Sequence, residues 1–161
     1  MISFLSNRAL LLKKEFTTRH PHAWLVWEPG GWNPPAKAAL SATLQPPKKA
    51  TQPAVGDALC FELKPPAGKP SLSVGRDPAN DLVLNDATVS REHLLLNHDA
   101  GKWSVLAVAS NVKIGTVTPS FTTPVALVSG VGISLGSVQL TYYDPPGLLV
   151  RLAAEHVKAA K

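Results

Sequence analysis

Arg76 and Ser90 carry the groups in this sequence that are best suited to bind a ligand. Both lie in the stretch "VGRDPANDLVLNDATVSREHLLL" (residues 74–96), where Arg76 follows one short apolar run and Ser90 precedes another. A guanidinium is always charged and presents N–H donors in a fixed fork, and a serine adds a hydroxyl donor, so the pair suits an oxyanion. The sequence pairs them with no nucleophile next to a base and no metal-ligand cluster. We therefore expect a bound ligand, no catalytic residue, no metal and no cofactor.

Each of these residues also has a plainer interpretation. Arg76 could form an ion pair with Asp77 or Asp81 in a solvated turn, and Ser90 could cap a turn before the following strand. Either interpretation would be preferred for an isolated residue. The order and spacing of the two together favour an anion site.

Short apolar runs separated by turn residues must position these side chains. Beyond Gly56 the runs are "ALCFEL", "SLSV", "DLVL", "HLLLNH", "KWSVLAV", "PVALV", "GISLG" and "VQLTYY". Many short strands with few helical windows predict an all-β sandwich or barrel. The last residues then change to helical periodicity, with Asp144 as a cap and Pro146 in the first turn. One apolar stripe follows, formed by Leu148, Leu149, Leu152, Ala153 and Val157.

The residues before Gly56 have a different character. Ile2 to Arg19 reads as a basic amphipathic helix, for which packing on its own domain or on a partner is favoured over a membrane surface. "HAWLVWEPGGW" holds Trp24, Trp27 and Trp32, and this aromatic area should be buried, either on the domain or on another protein. Residues 33–55 are rich in proline and read as an extended linker. The predicted division is a segment 1–32, a linker 33–55, a sandwich 56–144 and a helix 145–161.

Charge and composition narrow the class of partner. The net charge is +5, but residues 56–146 carry six basic and eight acidic side chains, so the basic excess lies in the flanks. Because the patterned region has no basic stripe with interleaved aromatics, we expect no nucleic-acid partner. The longest apolar run near the N-terminus, Ala9 to Leu12, is too short for a signal or a membrane span, so we expect a cytoplasmic protein without membrane contact. The single cysteine, Cys60, reads as a small buried hydrophobe.

The motif closely resembles the signature of the forkhead-associated (FHA) family. That signature has Gly-Arg after a strand, Asn before the next strand, and Ser-x-x-His at the start of the following one. These are Gly75 with Arg76, Asn80, and Ser90 with His93 here. The stretch "LVSGVGISLGSVQLTYY" is similar to the closing hairpin of the family, and the resemblance covers residues 57–143. It implies a sandwich of two twisted antiparallel sheets whose loops at one end bind a phosphothreonine peptide.

The resemblance also implies roles for individual residues. A phosphothreonine carries about −1.5 to −2 charges and three acceptor oxygens near neutral pH. Arg76 would be the main charged donor, Ser90 a second donor, and Arg91 would reach the phosphate through its backbone N–H or its side chain. Structural support of the site is assigned to Gly75, Asn80 and His93, with Gly75 allowing a close backbone approach or an unusual φ.

The third binding loop departs from the family pattern, which shows Ser or Thr and then Asn-Gly-Thr. This chain reads "AVASNVKIGTVT". One alignment matches Ser110 and Asn111 but places Val112 where glycine is expected, and a β-branched residue does not easily adopt positive φ. The other matches Gly115 with Thr116 and loses the polar pair. The spacing slightly favours the first alignment, so Ser110 and Asn111 complete the predicted site.

Two functions are consistent with these residues. The first is an adaptor in a bacterial Ser/Thr-kinase pathway that binds a phosphothreonine-containing protein, such as a kinase or its substrate. The second is a phosphate-independent interaction scaffold that acts through the sandwich or the tryptophan-rich segment. A further hypothesis holds that a phosphorylated Thr17 or Thr18 reaches the protein's own site across the proline-rich linker.

Overall fold

The computed structural model describes residues 2, 5, 15–28, 58–65 and 67–159, and side chains of the last helix as far as residue 154. Ten strands form two five-stranded sheets, of order β2-β1-β10-β9-β7 and β4-β3-β5-β6-β8. All pairs are antiparallel except β3 with β4. The strands are β1 (Ala23–Trp27), β2 (Leu59–Leu63), β3 (Ser71–Gly75), β4 (Leu82–Val83), β5 (Leu94–Asp99), β6 (Lys102–Ala107), β7 (Val112–Ile114), β8 (Val125–Ala126), β9 (Gly132–Leu135) and β10 (Val138–Tyr143).

The predicted sandwich with a C-terminal helix is confirmed. Each of the eight apolar runs contains a strand, although "PVALV" contributes only Val125–Ala126 and "HLLLNH" begins its strand at Leu94 rather than at His93. The two sheets share one core because alternate residues of each strand point inward. On β6 these are Trp103, Val105 and Ala107, all buried.

The strand β1 was not among the predicted strands and lies inside the first sheet, between β2 and β10. All five of its residues are buried, with Leu25 and Trp27 in the shared core and Trp24 and Val26 in a second cluster on the outer face. A strand covered on both faces needs a continuous apolar run, which "AWLVW" provides. The boundary predicted at residue 56 therefore leaves out a central strand. Trp32 and residues 33–55 lie outside the described residues.

A helical layer covers the outer face of the first sheet. It contains α1 (Phe16–Arg19) and α2 (Pro145–Ala159), and Ile2 and Leu5 are helical and buried in the same cluster. The described N-terminal residues thus pack on their own sandwich. Cys60 is half-buried beside this cluster rather than fully buried. Within the described residues no helix combines the length and apolar character needed to cross a membrane.

The helix α2 begins as the sequence predicts. The Asp144 carboxylate accepts a hydrogen bond from Gly147 N at 2.8 Å, which caps the helix. Leu148 and Leu152 are buried against the sheet, whereas Ala153 is exposed and does not belong to the buried stripe. Arg151 adds an ion pair with Glu28 at 3.3 Å, so the helix is fixed to the end of β1. The side chain of Val157 lies outside the described residues.

Candidate functional site

Four connections between strands meet at one end of the sandwich. Arg76 N donates to Ser90 O at 2.8 Å, which joins the β3–β4 loop to the β4–β5 loop. Gly136 N donates to Asn111 O at 3.3 Å, which joins the β9–β10 turn to the β6–β7 loop. The β9–β10 turn also contacts the β4–β5 loop. The structure thus brings all the sequence-predicted site residues to the same end of the fold.

The Arg76 side chain is half-buried and held in place by its own loop partner. Its Nε donates to Val89 O at 3.0 Å, so the guanidinium lies beside the residue before Ser90. The terminal nitrogens make no hydrogen bond or ion pair within the described part of the chain. The alternative of a turn ion pair is not observed: Asp77 accepts from Ala79 N, and Asp81 pairs with Lys69. The guanidinium is therefore positioned and still has free donors.

The Asp81 carboxylate stabilises the β3–β4 loop and does not pair with Arg76. The backbone N–H of Ser73 is the main cause of the lowered pKa of Asp81. Burial opposes it, and the Lys69 ammonium and the Ser73 hydroxyl lower the pKa further. The Asp81 carboxylate accepts from Ser73 N at 2.9 Å and from Lys69 Nζ at 3.0 Å. These bonds fix the β3–β4 loop to strand β3.

Ser90 and Arg91 use their backbones to hold the loops together, which leaves their side chains available. Ser90 N donates to His93 Nδ1 at 2.9 Å, and its hydroxyl makes no hydrogen bond within the described residues. The Arg91 carbonyl accepts from Asp77 N at 3.0 Å and from Asn80 Nδ2 at 2.6 Å. The Arg91 side chain is exposed and forms no ion pair in the described structure.

Gly75 is required because the two loops approach each other closely. A Cβ atom at this position would clash with the Arg91 carbonyl oxygen and lie 2.8 Å from Glu92 Cα. Its φ is not positive, so the close approach, rather than an unusual φ, explains the glycine. Asn80 completes the junction by donating also to Asp77 O at 2.9 Å.

His93 lies beneath the loops with 2% of its surface exposed. Its backbone carbonyl accepts from Val108 N and Ala109 N, both at 3.0 Å, and its Nδ1 accepts from Ser90 N. Burial lowers the pKa of His93, and the nearby backbone of Ser110 and Asn111 opposes this in part. Nε2 has no hydrogen-bond partner within the described residues. His93 thus connects two loops, the β4–β5 loop through its imidazole and the β6–β7 loop through its backbone carbonyl.

The third loop places Ser110 and Asn111 on the surface of the site end. The positive φ is at Asn111 (68°), a residue type that tolerates it, while Val112 is buried and begins β7 with extended backbone. The positive φ that the first alignment would require at Val112 is therefore adopted one residue earlier, at Asn111, and Val112 keeps the extended backbone that a β-branched residue prefers. Gly115 and Thr116, the alternative alignment, lie at the other end of β7.

Comparison of the sequence with protein-family models shows the family to which this chain belongs. A family model described as "Inner membrane component of T3SS, cytoplasmic domain" matches residues 62–145, just over half of the chain. The chain belongs to this family. It is an FHA-type family, and FHA domains and these cytoplasmic domains are interaction modules rather than enzymes, as the absence of catalytic motifs predicts. No curated protein sequence matches the chain significantly.

Solved FHA domains share the fold of this T3SS-family chain. The FHA domain of the CT664 protein from Chlamydia trachomatis has a TM-score of 0.51 and 17% identity, over 76% of this chain and 97% of that one. An FHA domain of an Arabidopsis thaliana hypothetical protein has a TM-score of 0.50 and 24% identity, over 76% and 85%. A domain from a structural and functional analysis of phosphothreonine-dependent FHA interactions has a TM-score of 0.50 and 16% identity, over 76% and 95%. These likenesses establish the fold.

One feature of this FHA-type domain was not predicted from the sequence. Asp86 is fully buried and accepts from Thr88 N at 2.8 Å and from Thr88 Oγ1 at 2.6 Å. Thr88 Oγ1 in turn accepts from Ser137 N at 2.9 Å, and a Cβ on Gly136 would lie 2.5 Å from Thr88 O. This network fastens the β9–β10 turn to the β4–β5 loop. The Asp-x-Thr spacing, which is typical of a local Asx turn, is the signal that could have indicated it.

The structure changes the hypothesis about Thr17 and Thr18. Both lie in α1, a few residues before β1, so no linker separates them from the sandwich. The start of β1 pairs with Leu63 and Tyr143, at the end of the sandwich opposite the β9–β10 turn. The premise of a flexible tether that delivers these threonines to the site is therefore wrong.

Proposed function

We propose that this protein is a phosphothreonine-peptide-binding module that recruits a phosphorylated protein in a cytoplasmic Ser/Thr-kinase pathway. The observation that carries the proposal is the Arg76 guanidinium. It is half-buried, fixed through Nε to Val89 O, and has terminal N–H groups free within the described structure. The hydroxyl of Ser90, the residue after Val89, is also unengaged there. A positioned guanidinium without an acidic partner suits a dianionic ligand.

The proposed roles follow from the geometry of the loops. Arg76 and Ser90 donate to phosphate oxygens, and Arg91 adds its side chain or backbone N–H. On the third loop, the Ser110 hydroxyl contacts the phosphate and Asn111 contacts the peptide backbone. Hydrogen bonds between the loops fix them before any ligand arrives. The loops then lose less conformational entropy when the peptide binds, which increases affinity for a given set of contacts.

A phosphate-independent scaffold is the second candidate function. The family match favours it, because this family is the cytoplasmic domain of an inner-membrane component of the T3SS, which is an assembly. The tryptophan segment is a poor surface for such a role, since Trp24 and Trp27 are 6% and 2% exposed within the fold. A scaffold would have to use the outer surface of the sandwich or residues outside the described structure.

Titration of matched phosphorylated and unmodified threonine peptides distinguishes the two functions. The full chain must be used, because β1 lies in the centre of a sheet. A charge-assisted hydrogen bond contributes about 1.5 to 3 kcal/mol, so Arg76→Ala should weaken phosphopeptide binding by tenfold to a hundredfold or more. Arg76→Lys should rescue little, because an ammonium lacks the fork. Lys102→Ala, at the β5–β6 turn on the opposite end, removes the same charge and should bind as wild type.

Variants of the third loop test the remaining site residues. Ser110→Ala and Asn111→Gly should each weaken binding by about 1 kcal/mol or more, and glycine keeps the positive φ at position 111. Equal affinity for both peptides would establish the scaffold function. Wild-type affinity in Arg76→Ala with an unchanged melting curve would place the phosphate site elsewhere, and losses confined to Thr116→Ala would replace the third-loop assignment.

A further inference from the structure

An open polar pocket lies directly beside the proposed phosphate site. It has a volume of about 330 Å³ and is lined by Ser73, Asp77, Ala79, Asn80, Arg91 and Glu92. Ligand pockets range over roughly 300 to 1,000 Å³, so this one suits a single long side chain rather than a whole ligand. It therefore has the size of a subsite.

The pocket is continuous with the groups that would hold the phosphate. Asp77 follows Arg76 on one loop, and Arg91 follows Ser90 on the other. The backbone bond from Asp77 N to Arg91 O, at 3.0 Å, lies next to the bond from Arg76 N to Ser90 O. An extended peptide advances about 3.3 Å per residue, so a side chain within about three residues of the phosphothreonine reaches the pocket.

The two carboxylates that line the pocket form no ion pair within the described residues. The Asp77 carboxylate accepts one hydrogen bond, from Ala79 N at 2.9 Å, and it forms no ion pair in the described structure. Glu92 is exposed and makes neither a hydrogen bond nor an ion pair within the same residues. Arg91 is the only basic residue of the described lining, and the subsite requires that its side chain, rather than only its backbone N–H, bind the phosphate. Two negative charges then remain for a ligand to neutralise.

We propose that this pocket selects phosphothreonine ligands with a lysine or arginine within about three residues of the phosphothreonine, and that Glu92 is the main determinant of this preference. The proposal rests on the proposed phosphothreonine function. A basic side chain places its charge between the Glu92 and Asp77 carboxylates, while an acidic one meets repulsion. The walls are preformed, because Asn80 bonds to both Asp77 O and Arg91 O.

The test uses phosphothreonine peptides flanked by alanine, with one lysine or one glutamate moved through the three positions on each side. Because the pair is partly exposed, lysine at the matching position should tighten binding by about twofold to fivefold over alanine, and the gain should shrink as salt rises. Glu92→Gln should abolish the difference between the lysine and alanine peptides. Asp99→Asn removes the same charge at the β5–β6 turn and should preserve the difference.

The outcomes distinguish a failure of the proposed subsite from a failure of the phosphothreonine function on which it rests. If the alanine-flanked phosphopeptide binds in an Arg76-dependent manner but no lysine position gains, or the gain persists in Glu92→Gln, the subsite is refuted and the phosphothreonine function stands. If no phosphopeptide binds more tightly than its unmodified counterpart, both proposals fail. A lysine gain that depends on Glu92 and not on Asp99 supports the subsite.

Discussion

Gly75→Ala tests how closely the loops that carry Arg76 and Ser90 approach each other. The new Cβ would overlap the Arg91 carbonyl oxygen and lie 2.8 Å from both the Arg91 carbonyl carbon and Glu92 Cα. These are backbone atoms, so no flexible side chain moves aside to make room. The loops must separate, and the hydrogen bonds between them must lengthen or break.

The structure gives the expected cost of this separation. The separation affects first three of the bonds at the junction: Arg76 N to Ser90 O at 2.8 Å, Asp77 N to Arg91 O at 3.0 Å, and Asn80 Nδ2 to Arg91 O at 2.6 Å. At about 0.5 to 1.5 kcal/mol each, their loss lowers the free energy of unfolding by about 1.5 to 4.5 kcal/mol. Phosphopeptide affinity should fall as well, because Arg76 and Ser90 lose their relative positions.

Urea unfolding of the full chain measures this change, with Gly132→Ala as the matched control. A Cβ on Gly132 meets nothing within 4 Å and its φ is not positive, so the control should stay within about 0.5 kcal/mol of wild type. A Gly75→Ala variant as stable as the control would contradict the close approach and with it the reason given for this glycine.

Two further predictions concern other contacts. Burial lowers the pKa of His93 from its ordinary value of about 6.5, so the unfolded chain takes up a proton before the folded chain does as the pH falls. The contribution of His93 to stability is therefore complete above about pH 6.5 and decreases as the pH falls toward the folded-state pKa. Urea titrations at pH 7.5 and 5.0 should show this decrease in wild type and a smaller one in His93→Asn; an equal decrease would assign it to other groups. Leu152→Ala removes a fully buried side chain of α2 and should cost about 2 to 5 kcal/mol, whereas Val150→Ala, at a position 72% exposed, should stay within about 0.5 kcal/mol. Similar melting temperatures for these two variants would contradict the packing of α2 on the sheet.

Local patterns were sufficient to predict much of the sandwich. Short apolar runs between turn residues located eight strands, and Asp144 located the start of α2, because both signals depend on residues a few positions apart. The grouping of Arg76 with Ser90 followed from a motif of fixed spacing. The structure adds how Arg76 is held, through Val89 O, which spacing alone does not reveal.

The features that were missed depend on distant parts of the chain. The run "AWLVW" is compatible with a buried strand or with a partner-binding segment, and its neighbours β2 and β10 are far away in sequence. Asp86 and Ser137 are likewise linked through Thr88 only once the sandwich has formed. The left-handed conformation at Asn111 removes the misfit that the sequence pattern indicated at Val112.

The central position of β1 determines when the fold can be completed. Trp27 pairs with Leu140, a separation of 113 residues, so the first sheet depends on contacts of very long range. Such contacts slow folding, because a long loop must close before they form. During synthesis at about 5 to 20 residues per second, β1 waits about 6 to 23 s for its β10 partner. Until then, this apolar strand with two tryptophans lacks one of its two neighbours in the sheet, so burial of the tryptophans is a late step in folding.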